Sequence, residues 1–485
     1  MARRILILLA IFGLTFLSGS VASVRAQPDR STTGSPARLH INLLWRQKIA
    51  PNADSAPAYL AHFGTRKVGP ILFVLAANNG SNCNTGDPVR KATLFALNAS
   101  NGAIRWSEST TGPSRCSTAG PVVDSTGRWV YAPGLDGKVH RYGTLTGQET
   151  RGSGWPVPVT LMPDVEKISA TPTISGTHLY VTTSGFIGDQ GHYQGHVVTI
   201  DLVHGRAQVF NSLCSNIHTL LGGDSGASNY CRAERSGLFG RGQGVIDPVS
   251  RAVYFVTGNG PWDGKRNWGD SILKFNLAGT RLLNSYTPTN QQALDSSDQD
   301  LGSTGPAILA PIQQGGHTWH LLTQGGKGPA CSSCNGAAIR LLNRDDLSGQ
   351  GGKGHLGGDL FDAQAPGGCE ILTAPATWTA PSGTPWVFYA NDCGLAGYRI
   401  GGSAGHFRLN RAWTSKSGGT TPVLSGGVLY VASAHRVIAY DLATGSQLAV
   451  VSDLAGIHWE YPRIAGHRLY ISDESGHVSC YTFAG

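Results

Sequence analysis

The chain has 485 residues, 66 of them glycine, and only 14% are charged. Charge this far below the usual quarter, with many short Val/Ile/Leu/Tyr runs, predicts an all-β protein rich in tight turns and excludes two compositionally unlike halves. The formal charge of +8 is spread without a basic cluster or helical basic stripe, which leaves nucleic-acid binding without support.

In chain order, residues 1–26 read as an export signal. Arg3 and Arg4 precede an apolar run over residues 5–17, and small residues then lead to Ala26 as the last residue before cleavage. That run of 13 residues is short for a bilayer span, with a retained anchor as the alternative. No cysteine follows it to carry a lipid. Residues 27–40 form a flexible N-terminal segment. The expected mature product is periplasmic or secreted and has no integral membrane span.

Residues 41–485 repeat one unit: a Thr/Ser–Pro strand, a "LYV"-type strand, then an "ALD…TG"-type strand and turn. The opening "INLLWRQKIA" (41–50) reads as the last strand of a unit without its preceding strands. The first copy runs from "ILFVLAANNG" to "ATLFALNASNGAIRW", and the second starts at Thr118 with "TAGPVVDSTGRWVYAP". The third is "ATPTISGTHLYVTTSG" with "GHVVTIDLVHGRAQVF", and the fourth "GVIDPVSRAVYFVTGNG" with "SILKFNLAGT". The fifth offers "TGPAILAP", "HTWHLLTQGGKG" and "AIRLLNRDDLSG"; the sixth "APATW", "PWVFYANDCGLAGYRI" and Trp413. The seventh, "TTPVLSGGVLYVASAHRVIAYDLATGSQL" (420–448), is the clearest, and "YPRIAGHRLYISDESGHVSCYTF" is the eighth. Each copy alternates apolar and polar residues over short runs and turns at Gly, Asn or Asp. A unit of three or four strands cannot bury both faces alone, so eight such units predict an eight-bladed β-propeller closed by residues 41–50. A different blade number, through a miscounted degenerate copy, is the alternative.

Two of these segments, "LFALNASNGAIRW" (94–106) and "VIAYDLATGSQL" (437–448), resemble the pyrroloquinoline quinone repeat. In that family an "ALD…TG…W" motif ends each blade, and its tryptophan docks the blade onto its neighbour. The resemblance implies a quinoprotein alcohol dehydrogenase-like fold. For function it implies either a quinone-dependent alcohol or sugar dehydrogenase or a non-catalytic propeller similar to outer-membrane assembly factors.

Four residues carry the dehydrogenase resemblance. Asn259 in "TGNGPWDG" matches an asparagine that binds calcium or a lanthanide, and its plain alternative is an Asn-Gly turn. In "DSSDQDLGSTGP" (295–306), Asp298 matches a general base and Asp300 a further metal ligand. An extended segment would place both aspartates on one face, while a solvated Asp-capped turn is the alternative. Lys327 in "TQGGKGPA" matches a cation that contacts the quinone, or is a solvated loop lysine.

Other parts of that site are missing. "TTSGFIGDQGHYQGH" has no glutamate for the metal, with Asp189 as a substitute; no adjacent cysteine pair exists; and "GLFGRGQGVIDP" offers Phe239 or Arg241 in place of a stacking tryptophan. The expectation is therefore a non-catalytic propeller binding a protein or glycan at the cell envelope, with no cofactor. The alternative is a dehydrogenase acting on a small alcohol with pyrroloquinoline quinone and calcium or a lanthanide.

The nine cysteines suit an oxidising compartment. Sequence neighbours could pair as Cys83–Cys116, Cys214–Cys231, Cys331–Cys334 and Cys369–Cys393, leaving Cys480 free, although spacing alone does not settle connectivity. Cys331-Ser-Ser-Cys334 precedes Asn335 rather than a histidine, so a loop disulfide is expected there. His192 and His196 are expected in a surface loop.

Overall fold

The structure is a computed structural model that describes residues 39–62, 69–77, 90–348 and 355–484. The export signal of residues 1–26 therefore lies outside the described residues, as does nearly all of segment 27–40. Eight four-stranded antiparallel sheets form the blades of a propeller. The innermost strands are short: Ala58–Leu60, Val122–Val123, Thr173–Ser175, Val245–Asp247, Ala307–Ile308, Ala376–Thr379, Val423–Ser425 and Arg463–Ala465. Blade 8 is assembled from both ends of the described chain. Its outer strand, His40–Lys48, pairs antiparallel with His477–Ala484, from His40 opposite Ala484 to Lys48 opposite His477. The closing strand read from residues 41–50 is thus in place.

The expected apolar/polar alternation is plainest in outer strands such as His406–Ser415, where buried and exposed residues interleave. Second strands are buried almost throughout, as in Ile71–Ala76, Ala252–Val256 and Pro385–Asn391. The reason is radial packing: each blade is covered on both faces by its neighbours, so its middle strands have no solvent side.

The repeat's tryptophans join the blades. The indole nitrogens of Trp45, Trp106 and Trp413 each donate to a carbonyl of the next blade, at Ala99, Thr144 and Leu442. Each ring lies on the turn glycine of that blade, where an added Cβ would meet it at 2.6 Å (Gly102), 2.9 Å (Gly147) or 2.5 Å (Gly445). A one-residue bulge next to each of these tryptophans turns the strand and aims the ring at the neighbour. The motif therefore needs "TG" and "W" together, one as socket and one as plug.

Disulfides join Cys214 to Cys231, Cys331 to Cys334 and Cys369 to Cys393, and Cys480 is a buried free thiol. The first suggested pair includes Cys83, which lies outside the described residues. Among the described residues, no helix is long and apolar enough to cross a membrane. One expectation is overturned. His192 lies in a loop, but His196 opens the strand His196–Asp201 and is fully buried, its Nε2 3.1 Å from Glu166 and its Nδ1 2.8 Å from Asn211. Glycine and glutamine neighbours rule out a helix, but they do not rule out a strand start.

Candidate functional site

Connections from one blade's outer strand to the next blade's inner strand share a propeller face with the loops joining second to third strands. Asn259, Asp298, Asp300 and Lys327 all lie in such segments, around blades 4 and 5. The segment 295–306 is not extended. A helical turn, Gln291–Ser296, leads into Asp298 in a left-handed conformation (φ 52°), and a 3-10 turn, Leu301–Ser303, follows Asp300.

Backbone packing locks this turn onto the "TGN" segment. A Cβ on Gly302 would lie 2.4 Å from the Thr257 carbonyl carbon, and one on Gly258 would lie 2.2 Å from Asp300 Oδ1. Both positions therefore require glycine. Asn259 donates its backbone N–H to Asp300 Oδ1 (2.8 Å) and its side-chain Nδ2 to Asp298 Oδ1 (3.3 Å). The Lys327 backbone N–H donates to the Asp300 carbonyl at 2.9 Å.

The structure thus brings all four sequence-derived residues together. Lys327 Nζ lies 2.6 Å from Asp300 Oδ2 and 3.4 Å from Asp298 Oδ1. Burial would lower the ammonium's pKa, but the charge and hydrogen bond of Asp300, with Asp298 and Glu370 behind it, push it well up, so it stays a cation. The three aspartates have different settings. Asp300 is buried, Asp298 is 70% exposed, and Asp295 lies 3.7 Å from Arg235, away from the lysine.

Two further carboxyls belong to the cluster. Asp270, fully buried, accepts the Leu301 N–H at 3.0 Å and a Gln291 Nε2–H at 3.3 Å. Burial, and then the negative charge of Asp300, push its pKa well above the ordinary aspartate value. Nothing in the sequence pattern marked it, since it stands in an ordinary loop between two strands. Asp189 accepts the Tyr193 hydroxyl at 2.6 Å. Burial raises its pKa, and Asp300 and Asp298 raise it further, which places Asp189 within electrostatic reach of the pair.

These donors do not fit a hard divalent cation as they stand. Asp300 gives one oxygen to the Asn259 amide and the other to Lys327, whose ammonium takes the position between the two carboxylates. Among the described residues, no three His, Cys, Asp or Glu side chains are grouped to hold a metal. Asn259 Oδ1 is buried without a hydrogen-bond partner. Neither residue read in place of a stacking tryptophan is free of its own protein contacts. Phe239 packs edge-on against Tyr193, and Arg241 lies with its guanidinium 4.1 Å from the Trp459 ring centre.

With this geometry established, the fold can be compared with solved structures. Quinohemoprotein alcohol dehydrogenase ADHIIG from Pseudomonas putida HK5 superposes with a TM-score of 0.58 at 14% identity, over 91% of this chain and 76% of that one. Quinohemoprotein alcohol dehydrogenase from Comamonas testosteroni gives 0.57 at 14% identity, over 91% and 76%. BamB from Moraxella catarrhalis gives 0.53 at 14% identity, over 92% and 100%. The fold is a quinoprotein alcohol dehydrogenase-like eight-bladed propeller. No protein-family model matches the chain, and no curated protein matches it. At such identities the likeness concerns fold alone, and it spans enzymes as well as BamB.

Proposed function

We propose that the protein is an exported, non-catalytic propeller that binds a ligand or protein partner at the cell envelope, using the loop face described above. One observation carries this reading: Lys327 forms an ion pair with both the residue that would serve as base and the residue that would bind metal. A carboxylate engaged with an internal ammonium is a weaker base and a poorer metal ligand. The disulfides suit an oxidising compartment, and the likeness to BamB is compatible with a protein partner.

A second reading draws on a specific observation. The convergence of Asn259, Asp298, Asp300 and Lys327, with Asn259 Oδ1 left unpaired, favours a dehydrogenase with Asp298 as base, Asn259 and Asp300 on calcium or a lanthanide, and Lys327 on pyrroloquinoline quinone. It requires Lys327 to leave the carboxylates. Purified protein mixed with the quinone and either ion separates the two. The expected result is no shift in quinone absorbance and no alcohol-dependent reduction of an artificial acceptor, in wild type and Lys327→Ala alike. Metal-dependent quinone binding that Asp298→Ala or Asn259→Ala abolishes would overturn the non-catalytic reading.

A further inference from the structure

Arg241 stands in the connection between blades 3 and 4, yet it touches three other blades. Its Nη1 donates to Thr118 Oγ1 (2.5 Å) ahead of blade 2 and to the Ser169 carbonyl (2.8 Å) ahead of blade 3, and its guanidinium lies over Trp459, ahead of blade 8. A side chain that meets so many blades lies at the propeller axis. Its Nε and Nη2 make no hydrogen bond among the described residues.

Lys167 stands two residues before Ser169, in the short strand Glu166–Lys167. Protein surrounds it on most sides, although it keeps contact with solvent, so it lines a recess. Its ammonium has no hydrogen-bond or ion-pair partner among the described residues. It lies 5.5 Å from the centre of the Phe186 ring, which Arg115 shares at 5.2 Å. Burial and then the positive charge of Arg241 lower its pKa to about 7. The charged groups on the facing wall do little to compensate. Glu460 is held well above its ordinary pKa by burial and by Asp54, with its Oε2 accepting the His458 and Trp459 N–H groups. Asp54 faces Arg241 and His458. Burial depresses the His458 pKa. Lys167 and Arg241 therefore bring two basic groups together, with the carboxylate of Asp54 facing Arg241 and those of Asp392 and Glu474 beyond it around His458.

We propose that this axial recess binds a small-molecule anion, whose carboxylate or phosphate group sits between Lys167 Nζ and the free guanidinium nitrogens of Arg241. The proposal rests on the ligand-binding reading above and specifies the class of ligand. An unpaired ammonium in a recess is costly, and a bound anion removes that cost. The Arg241 fork is already fixed by two acceptors and an aromatic ring, so little order is lost when a planar oxyanion docks on it. The occupied site holds Lys167 as a cation, so binding takes up a proton above pH 7 and weakens as pH rises.

Isothermal titration of the full chain with inorganic phosphate, and separately with citrate, tests this at about pH 6 and about pH 8.5. Binding of at least one anion is expected, tighter at the lower pH, with the phosphate and citrate arms separating the two chemistries. Lys167→Met should weaken it about tenfold or more, while Lys167→Arg keeps it and removes most of the pH dependence. Unchanged thermal melting of Lys167→Met shows that the fold is intact, and Arg241→Gln adds a second variant expected to weaken binding. No binding of either anion, or equal affinity in Lys167→Met, would overturn the proposal. Failure here without quinone-dependent turnover leaves the non-catalytic reading standing, whereas anion binding together with turnover overturns that reading and leaves this one.

Discussion

At the scale of single residues, paired charges explain why a chain so poor in charge tolerates buried ionisable groups. His140 illustrates the rule, with Nε2 3.0 Å from Asp136 and Nδ1 2.6 Å from Glu149. Burial alone would lower its pKa, but the two carboxylates raise it above the usual 6.5. The folded state therefore binds this proton more tightly than the unfolded chain. Its contribution to stability is complete below about pH 6.5 and is lost as pH rises through the higher folded value. Melting temperatures measured across that range should decline for wild type and stay flatter for His140→Gln. The Asp298–Lys327–Asp300 cluster shows the same pairing, and there the residue types were legible in "DSSDQDLGSTGP" and "TQGGKGPA" while the ion pair between them was not.

Among elements, the unit of cohesion is a tryptophan seated on the glycine turn of the next blade. Trp413 is buried, lies against Gly445 and donates to Leu442 at 2.9 Å. Trp413→Ala should cost about 3 kcal/mol in urea unfolding, through the cavity left between blades 6 and 7. Gly302→Ala acts at a different junction. Its Cβ would meet the Thr257 backbone, so the "DLG" turn must separate from "TGN". The expected outcome is lower stability together with altered amide exchange across residues 257–261 and 298–303. The blade contacts at Trp45, Trp106 and Trp413 were readable because plug and socket recur along the chain. The glycine requirement at 258 and 302 was not, because it comes from one loop packed on another, Gly302 against the Thr257 backbone and Gly258 against the Asp300 carboxylate.

For the whole molecule, closure decides stability. Blades 1 to 7 are continuous in sequence, but blade 8 takes its outer strand from residues 40–48. Deleting residues 39–48 removes a full antiparallel ladder together with Trp45, and exposes the edge of His477–Ala484. Such a variant should unfold over a broader transition and be cut by protease within blade 8, where the intact chain resists. Closure also creates the axis. Thr420 donates its hydroxyl to the Glu460 carbonyl, Ser472 to Ser55 and Ser117 to Ile168, a belt of blade-to-blade hydrogen bonds around the recess that holds Arg241 and Lys167.

The sequence by itself determined the all-β class, the eight units and the strand that closes the ring, and its resemblance to a known repeat pointed to the docking tryptophans. Each is a local pattern repeated along the chain, and repetition makes a weak signal readable. It also singled out Asn259, Asp298, Asp300 and Lys327 by type and order. Only the tertiary structure decided what these residues do to one another. It placed the lysine between the carboxylates, added the buried carboxyl of Asp270, buried His196 against Glu166, and carried Arg241 to Thr118, 123 residues away. Such contacts join loops of different blades and have no period along the chain. They exist only once the ring has closed and brought those loops to a common axis.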